Sequence, residues 1–505
     1  MQSRVAFASV GSSTAGPPTT VAAGKLFPRK ALTESARRSP LQWIAGQGWS
    51  VAALHLFLDV AAWMAVFQMI VMVRPRAFAT TPDQYLVINL LQLVVIGFAL
   101  YIIGGYDRKI DPRTLTYATE HILAIAGAAA LSALLIYAVT SYDQAMKPSR
   151  GVMLLSFLLF LPISLLNRRA LGKQLATTFA NETFLVIGNG RPVVRFYESY
   201  KNSPNRQQLR FVDLGSQRVG LPIAGEGSPI VEGDLADQLE NLSPSCSGII
   251  LAERVQSLGA ELLESLVRTQ FQKVRVYTLE SFYETHWRRL PLDMISSVWP
   301  LQSGFQLARI SPYHYLKRSI DLVGAAVALA VCAPLFALIP LLIWLEGGGP
   351  IVFRQQRMGL AGKPFTIFKF RTMEVCADEA TEDLYTRTND QRVTRLGRWL
   401  RQLRLDELPQ LVNVLRGEMS LIGPRAEWIK CTERYERAIP FYHFRHLVRP
   451  GITGWAQVNF RYGEGNADAI ENLQYDLYYI RRYSIKLDAM IVLKTIYVML
   501  FAKGR

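Results

Sequence analysis

Long apolar runs dominate the first third of the chain, and four of them have the composition of membrane helices. They span 51–73, 85–103, 122–139 and the shorter 152–166. The shortest run contains Pro162, which weakens it as a span. Basic side chains at its end can reach the membrane interface, so we still predict that it crosses. The pattern therefore predicts a four-helix transmembrane bundle over 46–172. We interpret it as an anchor and dimerisation unit that we expect to carry no charge in the middle of a span and to form no ion pathway.

Lysine and arginine are distributed unevenly between the ends of these spans. They are most frequent before the first span, between the second and third, and after the fourth. Because such residues stay on the cytoplasmic side, the N-terminus and everything after the fourth span should face the cytoplasm. Residues 1–45 are basic and rich in Ser, Thr, Gly and Pro, which predicts a disordered tail.

Strand-like and helical patterns alternate in the middle of the chain. Strands are predicted at 183–187, 209–214, 248–251 and 274–279, with helical stretches such as 192–200 and 260–268 between them. Such alternation predicts a Rossmann-like parallel-sheet domain over 180–300. The first turn has Gly188 and Gly190 but no third glycine, and no carboxylate is well placed for a ribose. A dinucleotide site is therefore only weakly indicated, and a regulatory or assembly domain is the alternative.

An apolar run over 320–345 is interrupted in its middle by Cys332-Ala-Pro334. Its length would permit a fifth span, which is one alternative. However, basic residues flank the run on both sides, and proline breaks the helical hydrogen bonds. We therefore predict a re-entrant membrane helix over 316–346 that enters and leaves from the cytoplasmic face. It would belong to a monotopic catalytic domain over 312–505.

The strongest candidate for chemistry is an adjacent carboxylate pair, Asp406 and Glu407, followed by Pro409 and an apolar helical run. Proline is favoured in the first turn of a helix, so the pair should lie at a helix N-terminus, where free amides favour anions. Such a pair suits work on a phosphate, since one carboxylate can attack while the other holds a divalent cation. The plain alternative is that Asp406 caps the helix and Glu407 faces water.

Basic residues recur on a predicted strand and at turns rich in Gly and Pro. They are Lys369 and Arg371 on one face of the strand, and Arg425, Arg449 and Arg461 at the turns. Arginine suits two-pronged contacts with phosphate better than lysine does. Two roles remain open for Asp476: it could anchor a binding group from behind, or it could be the structural partner of a nearby basic residue. The basic, apolar segment 485–503 is suited to lying on a membrane surface.

The charge of the chain narrows the class of partner. Of 505 residues, 56 are basic and 40 acidic, which gives a net charge of +16. Nucleic acid, anionic lipid and phosphorylated substrates all fit this balance, but membrane segments favour the last two, and we expect no nucleic-acid partner. The four cysteines have no metal-binding spacing, and the six histidines form no metal-binding pair.

Several motifs of the last 190 or so residues, in their order and spacing, resemble bacterial polyisoprenyl-phosphate hexose-1-phosphate transferases, which initiate glycan assembly on a lipid carrier. The matching pieces are Lys317-Arg318, the proline-broken helix, Phe368-Lys-Phe-Arg-Thr-Met373, Leu405-Asp-Glu-Leu-Pro-Gln-Leu411, Gly417-Glu-Met-Ser-Leu-Ile-Gly-Pro-Arg425, Arg449-Pro-Gly-Ile-Thr-Gly-Trp-Ala-Gln-Val-Asn459 and Tyr475-Asp-Leu-Tyr-Tyr479. The preceding spans and Rossmann-like domain resemble the long form of the family, similar to undecaprenyl-phosphate glucose or galactose phosphotransferases. Two positions depart from the family pattern: Ala333 stands where serine is frequent, and Ala426 where proline is usual.

The resemblance implies a two-step transfer of hexose-1-phosphate from a UDP-hexose to undecaprenyl phosphate, with release of UMP. UDP-glucose would be the donor, with the galactose donor as an alternative. Asp406 would carry a covalent phosphosugar, Glu407 would bind Mg²⁺, and the basic residues with Asp476 would bind substrate. The resemblance further implies the cytoplasmic face of a bacterial inner membrane, contacts with membrane lipids, a homodimer, and downstream glycosyltransferases in exopolysaccharide synthesis.

Two rival interpretations come from other functional classes. A non-catalytic membrane scaffold could sense a nucleotide at the turn of Gly188 and Gly190, but it leaves the motifs of the last third without a purpose. A membrane-anchored oxidoreductase or epimerase would need a fuller glycine fingerprint than this turn provides.

Overall fold

Among the residues that the structure describes, four helices come first: α1 (Ser50–Val73), α2 (Pro82–Ile102), α3 (Leu115–Thr140) and α4 (Arg150–Ala180). The computed structural model describes residues 49–73, 82–107, 110–140, 150–180, 183–203, 207–214, 218–233, 235–240, 246–253, 258–271, 274–292, 305, 311–374, 392–460 and 465–500. Trp63 of α1 packs against Phe157 and Phe160 of α4, with ring centroids 5.0 and 5.5 Å apart. The helices therefore share one aromatic core.

Three of these helices are long and apolar enough to cross a membrane, over Ser50–Val73, Leu115–Ala138 and Arg150–Gly172. In α2 the apolar stretch is the shorter Leu86–Ile102. The prediction of a membrane-anchored helical part is thus confirmed in this coarser form, and a complete fourth span stays a prediction.

A buried ion pair joins two of the helices, so the expectation that no span carries a charge near its middle is wrong. Asp59 lies well inside α1 and accepts hydrogen bonds from both terminal nitrogens of Arg168 on α4, at 2.7 and 2.6 Å. Ser164 and Tyr106 also donate to this carboxylate, at 2.9 and 3.0 Å. A buried pair is tolerated when further hydrogen bonds satisfy its oxygens, as they do here. Asp59 therefore fastens α1 to α4.

The middle of the chain forms a four-stranded parallel sheet in the order β2-β1-β3-β4. Its elements are β1 (Thr183–Ile187), α5 (Gly190–Lys201), β2 (Gln208–Val212), α6 (Leu235–Glu240), β3 (Cys246–Leu251), α7 (Ala260–Phe271), β4 (Arg275–Thr278) and α8 (Leu279–Phe282), which continues into a π turn at Tyr283–Trp287. Alternate residues of β1 enter two apolar cores, Phe184 and Val186 on one face and Leu185 and Ile187 on the other. The predicted parallel sheet with helices is confirmed.

The geometry of the turn after β1 explains why Gly188 stands there and weakens the hypothesis of a dinucleotide site. Gly188 has a φ of 135°, and a side chain there would press on Ala252 and Glu253. Asp213, at the end of β2, accepts a hydrogen bond from the Asn189 side chain at 2.9 Å. This carboxylate has the position of a ribose ligand in dinucleotide folds, and the sequence analysis missed it. However, Glu253 accepts the Asn189 backbone N–H at 3.2 Å, which places a negative charge where a phosphate would bind.

The C-terminal part opens with α9 (Tyr313–Val331) and α10 (Ala333–Gly347), which are bent by 61° at Cys332. The predicted interruption before Pro334 is therefore present. A bend of this size fits a broken span and a re-entrant loop alike. The re-entrant topology stays a prediction.

The remaining elements surround the carboxylate pair and its supports. They are β5 (Val352–Met358), β6 (Pro364–Phe370), α11 (Arg395–Gln402), α12 (Gln410–Arg416), β7 (Ser420–Ile422), α13 (Ile429–Ala438), β8 (Gly451–Thr453), α14 (Trp455–Asn459), α15 (Asn466–Arg481) and α16 (Ile485–Leu500). Strands β5 and β6 form an antiparallel hairpin, and β7 pairs with β8 in parallel. Leu477 and Ile480 of α15 pack with Ile491 of α16 in the core beneath them.

Helix α16 corrects part of the expectation for the segment 485–503. One face is buried in the protein, with Ile491 fully covered, and Lys486 lies 3.5 Å from the ring centroid of Tyr101 on α2. Its other face exposes Val492 and Ile496. The helix therefore joins the membrane helices to the C-terminal core, with only one apolar side left for a membrane surface.

Candidate active site

A cleft open to solvent brings together polar side chains from distant parts of the sequence. Its polar lining consists of Arg357 on β5, Lys369 on β6, Glu407, Gln410 on α12, Arg425 and Gln457 on α14. Ile367, Met419 and Ile452 supply apolar walls. Three of the predicted site residues, Lys369, Glu407 and Arg425, thus meet at one place.

The carboxylate pair lies in a short 3₁₀ turn, Leu405–Glu407, that precedes α12. The sequence predicted that it would stand at the helix N-terminus, but Pro409 takes the capping position. Asp406 and Glu407 are 7% and 8% exposed, so neither faces bulk water. This geometry contradicts the plain alternative in which Glu407 is solvated.

Glu407 is held by cations. Lys369 Nζ donates to Glu407 Oε1 at 3.0 Å, and nitrogens of Arg404 and Arg425 lie 3.7 and 4.0 Å from the same oxygen. Burial alone would raise the pKa of Glu407, but these three charges outweigh it and lower the pKa to about 2. Burial also lowers the pKa of Lys369, which sets the upper limit of the pH range in which both partners are charged.

Asp406 has the opposite character. Its Oδ1 atom is buried and accepts no hydrogen bond from the part of the chain that the structure describes. Burial raises the pKa of Asp406, and the neighbouring charge of Glu407 raises it further, while nearby cations oppose both effects. The two adjacent carboxyl groups therefore differ: Glu407 is firmly ionised and lines the cleft, whereas Asp406 is poorly solvated, has one oxygen without a partner among the described residues, and lies just behind the cleft lining.

Lys369 reaches the cleft because strand β6 is fastened to α12. The side-chain oxygen of Asn413 accepts the backbone N–H of Phe368 at 3.2 Å, and its nitrogen donates to the carbonyl of Thr366 at 2.7 Å. Alternation along β6 then directs Lys369 and the buried Ile367 to the same side. Asn413 is fully buried and was not recognised from the sequence.

Arg425 is positioned by two glycine-rich turns whose backbones lie directly against each other. Gly423 donates to Thr453 O at 2.9 Å, and Gly451 donates to Pro424 O at 2.8 Å. Side chains at Gly423 or Gly451 would collide with the facing backbone. The glycines are therefore required by close approach, and this approach directs Arg425 into the cleft.

Asp476 lies behind the cleft and not in it. It is 1% exposed and accepts a hydrogen bond from Arg445 at 2.9 Å. Arg445 also donates to the backbone carbonyl of Arg425 at 3.2 Å. Asp476 is therefore a structural partner that supports Arg425. Because it is buried behind the cleft, the prediction that it contacts substrate is wrong.

Two predicted phosphate ligands have other surroundings. Arg371 donates to the carbonyl of Ile343 at 3.4 Å, near the end of α10, and Arg449 donates to the carbonyl of Gly417 at 2.9 Å. Neither is among the residues that line the cleft. Arg461 lies outside the described residues.

Comparison with known proteins shows to which protein family this part of the chain is similar. A family model described as "Bacterial sugar transferase" matches residues 312–502. The exopolysaccharide production protein PSS of Rhizobium leguminosarum bv. phaseoli is 40% identical over 186 residues, which are 36% of this chain and 93% of that protein.

The chain belongs to the bacterial sugar transferase family. A UDP-glucose:undecaprenyl-phosphate glucose-1-phosphate transferase of Caulobacter vibrioides is 43% identical over 212 residues, 41% of this chain and 78% of that protein. A UDP-N-acetylgalactosamine-undecaprenyl-phosphate N-acetylgalactosaminephosphotransferase of Aeromonas hydrophila is 37% identical over 278 residues, 54% of this chain. That match spans 64% of the Aeromonas protein, which is less than two thirds of its length.

Sequence reasoning missed several residues of this sugar transferase cleft. Gln410 and Gln457 stand within motifs that were recognised, but no role was given to them. Arg357 donates to the carbonyl of Ala426 at 3.2 Å and is brought to the cleft by pairing of β5 with β6. For the two glutamines the signal was their place beside the carboxylate and glycine motifs, whereas Arg357 had no local signal.

Proposed function

We propose that the protein transfers hexose-1-phosphate from a UDP-hexose, with UDP-glucose as the first candidate, to undecaprenyl phosphate. The names of the Caulobacter and Aeromonas relatives state such transfers for glucose and N-acetylgalactosamine. The observation that carries the proposal is the pair of adjacent, buried carboxyl groups with opposed pKa shifts, Asp406 raised and Glu407 lowered.

The reaction has two displacements at one phosphorus atom. In the first, a carboxylate oxygen of Asp406 bonds to the phosphorus that bears the sugar, and the bond from that phosphorus to UMP breaks. In the second, a phosphate oxygen of the lipid attacks the same phosphorus and restores the free Asp406 carboxylate. Covalent catalysis of this kind divides one difficult displacement into two.

The cleft supplies positive charge for both steps. Lys369, Arg425 and Arg357 line it, and all three bear hydrogen-bond donors suited to phosphate oxygens. Lys369 and Arg425 already face the Glu407 carboxylate, so both cations are held in place before substrate arrives, and together they exceed the charge of that carboxylate. Preorganised charge of this type favours the transition state, because nothing has to reorient as negative charge moves.

Glu407 and Asp406 also fit a magnesium ion that is shared with the substrate. The described residues contain no cluster of three or more His, Cys, Asp or Glu side chains that could hold a metal. Magnesium needs no such cluster, since one or two carboxylates commonly bind it together with phosphate oxygens of a substrate. We propose that Glu407 holds it, with the unpartnered Oδ1 of Asp406 close by. When bound, it would offset charge on the diphosphate.

We propose that the membrane helices hold this chemistry at a lipid surface. We propose that α9 and α10 form a re-entrant helix in a bacterial inner membrane, with the cleft on the cytoplasmic face. The 61° bend and the basic residues on both flanks support this topology. A cysteine introduced at the exposed Glu346 should then react only with a reagent on the cytoplasmic side. Labelling from the opposite side would establish a spanning helix.

The product would serve as the first lipid-linked sugar of an exopolysaccharide. The Rhizobium relative, an exopolysaccharide production protein by name, supports this destination. We further propose that the protein acts as a homodimer and passes its product to downstream glycosyltransferases. A panel of UDP-sugars, including the glucose, galactose and N-acetylgalactosamine donors, would identify the preferred sugar.

The decisive experiment traps the intermediate. Full-length protein is incubated with UDP-glucose labelled at the β-phosphate, without lipid acceptor, and the label on Asp406 is sought by peptide mass spectrometry. The Asp406→Asn variant should take up no label and release no UMP with acceptor present. Asp468→Asn, the same chemical change on α15, should behave as wild type. Turnover that survives in Asp406→Asn would refute the assignment of the nucleophile.

A further inference from the structure

A second cleft, separate from the one described above, lies where α9 begins. Its polar lining consists of His314, Lys317, Arg318 and Asp321 from α9 and of Ser420, Arg449 and Tyr483 from the facing wall. None of its lining residues lines the first cleft. The two clefts lie towards opposite ends of α12, a helix of seven residues and therefore roughly 10 Å long.

Two guanidinium groups meet at the C-terminal end of α12. Arg318 donates to the carbonyls of Val414 and Leu415, at 2.7 and 3.1 Å, and Arg449 donates to the carbonyl of Gly417 at 2.9 Å. Carbonyls at a helix C-terminus attract cations, which explains why both arginines are found here. These carbonyls carry only partial charge, so they leave most of the charge of two guanidinium groups uncompensated.

The carboxylates nearby are committed to another cation. Lys317 pairs with Asp488 at 2.8 Å and with Asp321 at 3.8 Å. Within the described ranges, no ion pair joins Arg318 or Arg449 to a carboxylate. Three cations, Lys317, Arg318 and Arg449, therefore face two carboxylates, Asp321 and Asp488, which leaves one net positive charge at the cleft.

A third group in the cleft has an unmet hydrogen-bonding atom. The Nδ1 atom of His314 is buried and has no partner among the atoms of the described chain. A buried nitrogen without a partner is costly unless a ligand or water satisfies it. Two arginines and this histidine together offer a set of nitrogens suited to the oxygens of one phosphate group.

We propose that this cleft binds the phosphate group of an anionic membrane lipid, as a site distinct from the catalytic cleft. The source is assigned to lipid because α9 continues from Arg318 directly into the apolar surface of Ile320, Val323 and Val327, which are 44%, 63% and 57% exposed. The phosphate would be held at the point where this helix turns from basic to apolar. Lipid bound there would fix the base of α9 against the turn after α12.

The test uses full-length protein in neutral detergent and dioctanoyl phosphatidic acid as the probe, with dioctanoylglycerol as its phosphate-free control. Hydrogen exchange should slow at 313–322 and 413–421 when phosphatidic acid is added, and not when dioctanoylglycerol is added. Protection restricted to the catalytic segments 364–371 and 404–411 would overturn the proposal. A separate titration with inorganic phosphate distinguishes the source, and protection by phosphate as strong as that by phosphatidic acid would refute the assignment to lipid.

Matched arginine variants show whether the cleft is responsible. Arg449→Gln should weaken phosphatidic acid binding about tenfold, which is typical for loss of one charge-assisted hydrogen bond. Arg416→Gln makes the same charge change at an exposed neighbour and should alter binding less than threefold. Arg449→Lys should retain most of the affinity, which separates lost charge from misfolding. Equal affinities for the Gln variants of Arg449 and Arg416 would refute the site.

The outcome of the lipid-binding test is independent of the proposed transfer reaction. Asp406→Asn should bind phosphatidic acid as wild type does, because Asp406 does not line the second cleft. If the transfer reaction were disproved while Arg449 still governed lipid binding, the second site would stand. If Arg449 had no effect while the phosphosugar still formed on Asp406, only this inference would fail.

Discussion

Removing the ion pair between Lys369 and Glu407 tests how the site is held together. The pair has an N–O distance of 3.0 Å, and its side chains are 17% and 9% exposed. We consider Lys369→Met, Glu407→Gln and the double variant as a thermodynamic cycle. The cycle isolates the coupling free energy of the two side chains, because effects that each change has on its own surroundings cancel.

The structure sets the size of this coupling. Two unit charges 3.0 Å apart attract by roughly 5 to 6 kcal/mol at an effective dielectric constant near 20. Burial opposes this attraction, because it is the largest single effect on the pKa of Glu407 and acts to raise that pKa. The net lowering from 4.5 to about 2 corresponds to about 3 kcal/mol. Because Lys369 is the largest of the lowering charges, we expect a coupling of about 2 kcal/mol.

The pH dependence has a definite sign. Glu407 has a lower pKa in the folded protein than in the unfolded chain, so its stabilising contribution is complete well above pH 4.5 and is lost as the pH falls towards 2. By pH 4 the contribution should have fallen by roughly 1 kcal/mol. The wild type should therefore lose stability between neutral pH and pH 4 by more than Glu407→Gln does.

Thermal unfolding followed by tryptophan fluorescence measures the cycle. Each single variant should lower Tm, and the double variant should be no worse than the poorer single variant. The control cycle uses Arg289 and Glu471, which are 2.8 Å apart but 16% and 38% exposed. Exposed pairs contribute at most about 1 kcal/mol. Additive effects at Lys369 and Glu407, or a larger coupling in the control, would refute the reasoning.

Three further outcomes are expected. Gly397→Ala should lower stability by about 1 to 3 kcal/mol, because the new methyl group would collide with the backbone of Thr372. The control is Gly127→Ala, which adds a methyl group in open space on a helix and should leave Tm unchanged or raise it slightly. Asp476→Asn should lower both Tm and kcat/KM for the donor sugar; a loss of Tm alone would show the residue to be purely structural. Formation of the phosphosugar adduct should increase with pH through the raised pKa of Asp406, because only the ionised carboxylate can attack phosphorus. An adduct yield that does not change with pH would contradict the last expectation.

Local patterns in the sequence were sufficient for much of the fold. Apolar runs of membrane length, strand and helix alternation, and a proline within an apolar helix all act through neighbouring residues. The C-terminal motifs likewise identified Asp406, Glu407, Lys369 and Arg425, since these stand beside prolines, glycines or strand periodicity.

Contacts between residues far apart in the chain could not be predicted in this way. The partner of Asp59 is Arg168, 109 positions later, and nothing in either helix shows that the two charges meet. Arg371 follows β6 by one residue, so alternation suggested that it shares the face of Lys369, but the strand ends at Phe370 and Arg371 turns to α10. Asp213 was the exception, because a carboxylate directly after a strand is a local signal that was overlooked.

The supports of the glycine-rich turn show how the membrane and middle parts can influence the cleft. Trp455 donates its indole N–H to the carbonyl of Arg288 at 2.9 Å, and Lys494 of α16 donates to Asn459 at 2.8 Å. Both contacts hold α14, the short helix that carries Gln457 into the cleft.

Arg288 itself follows the π turn of the middle part and has a left-handed backbone with φ of 52°. A non-glycine residue persists in this conformation only where its surroundings enforce it. One of its terminal nitrogens lies 3.9 Å from Asp107, just beyond α2, while its carbonyl accepts the bond from Trp455. A single constrained residue therefore contacts the membrane part through its side chain and α14 through its backbone. A movement of either part that relaxed Arg288 would have to displace the wall of the cleft that Gln457 forms.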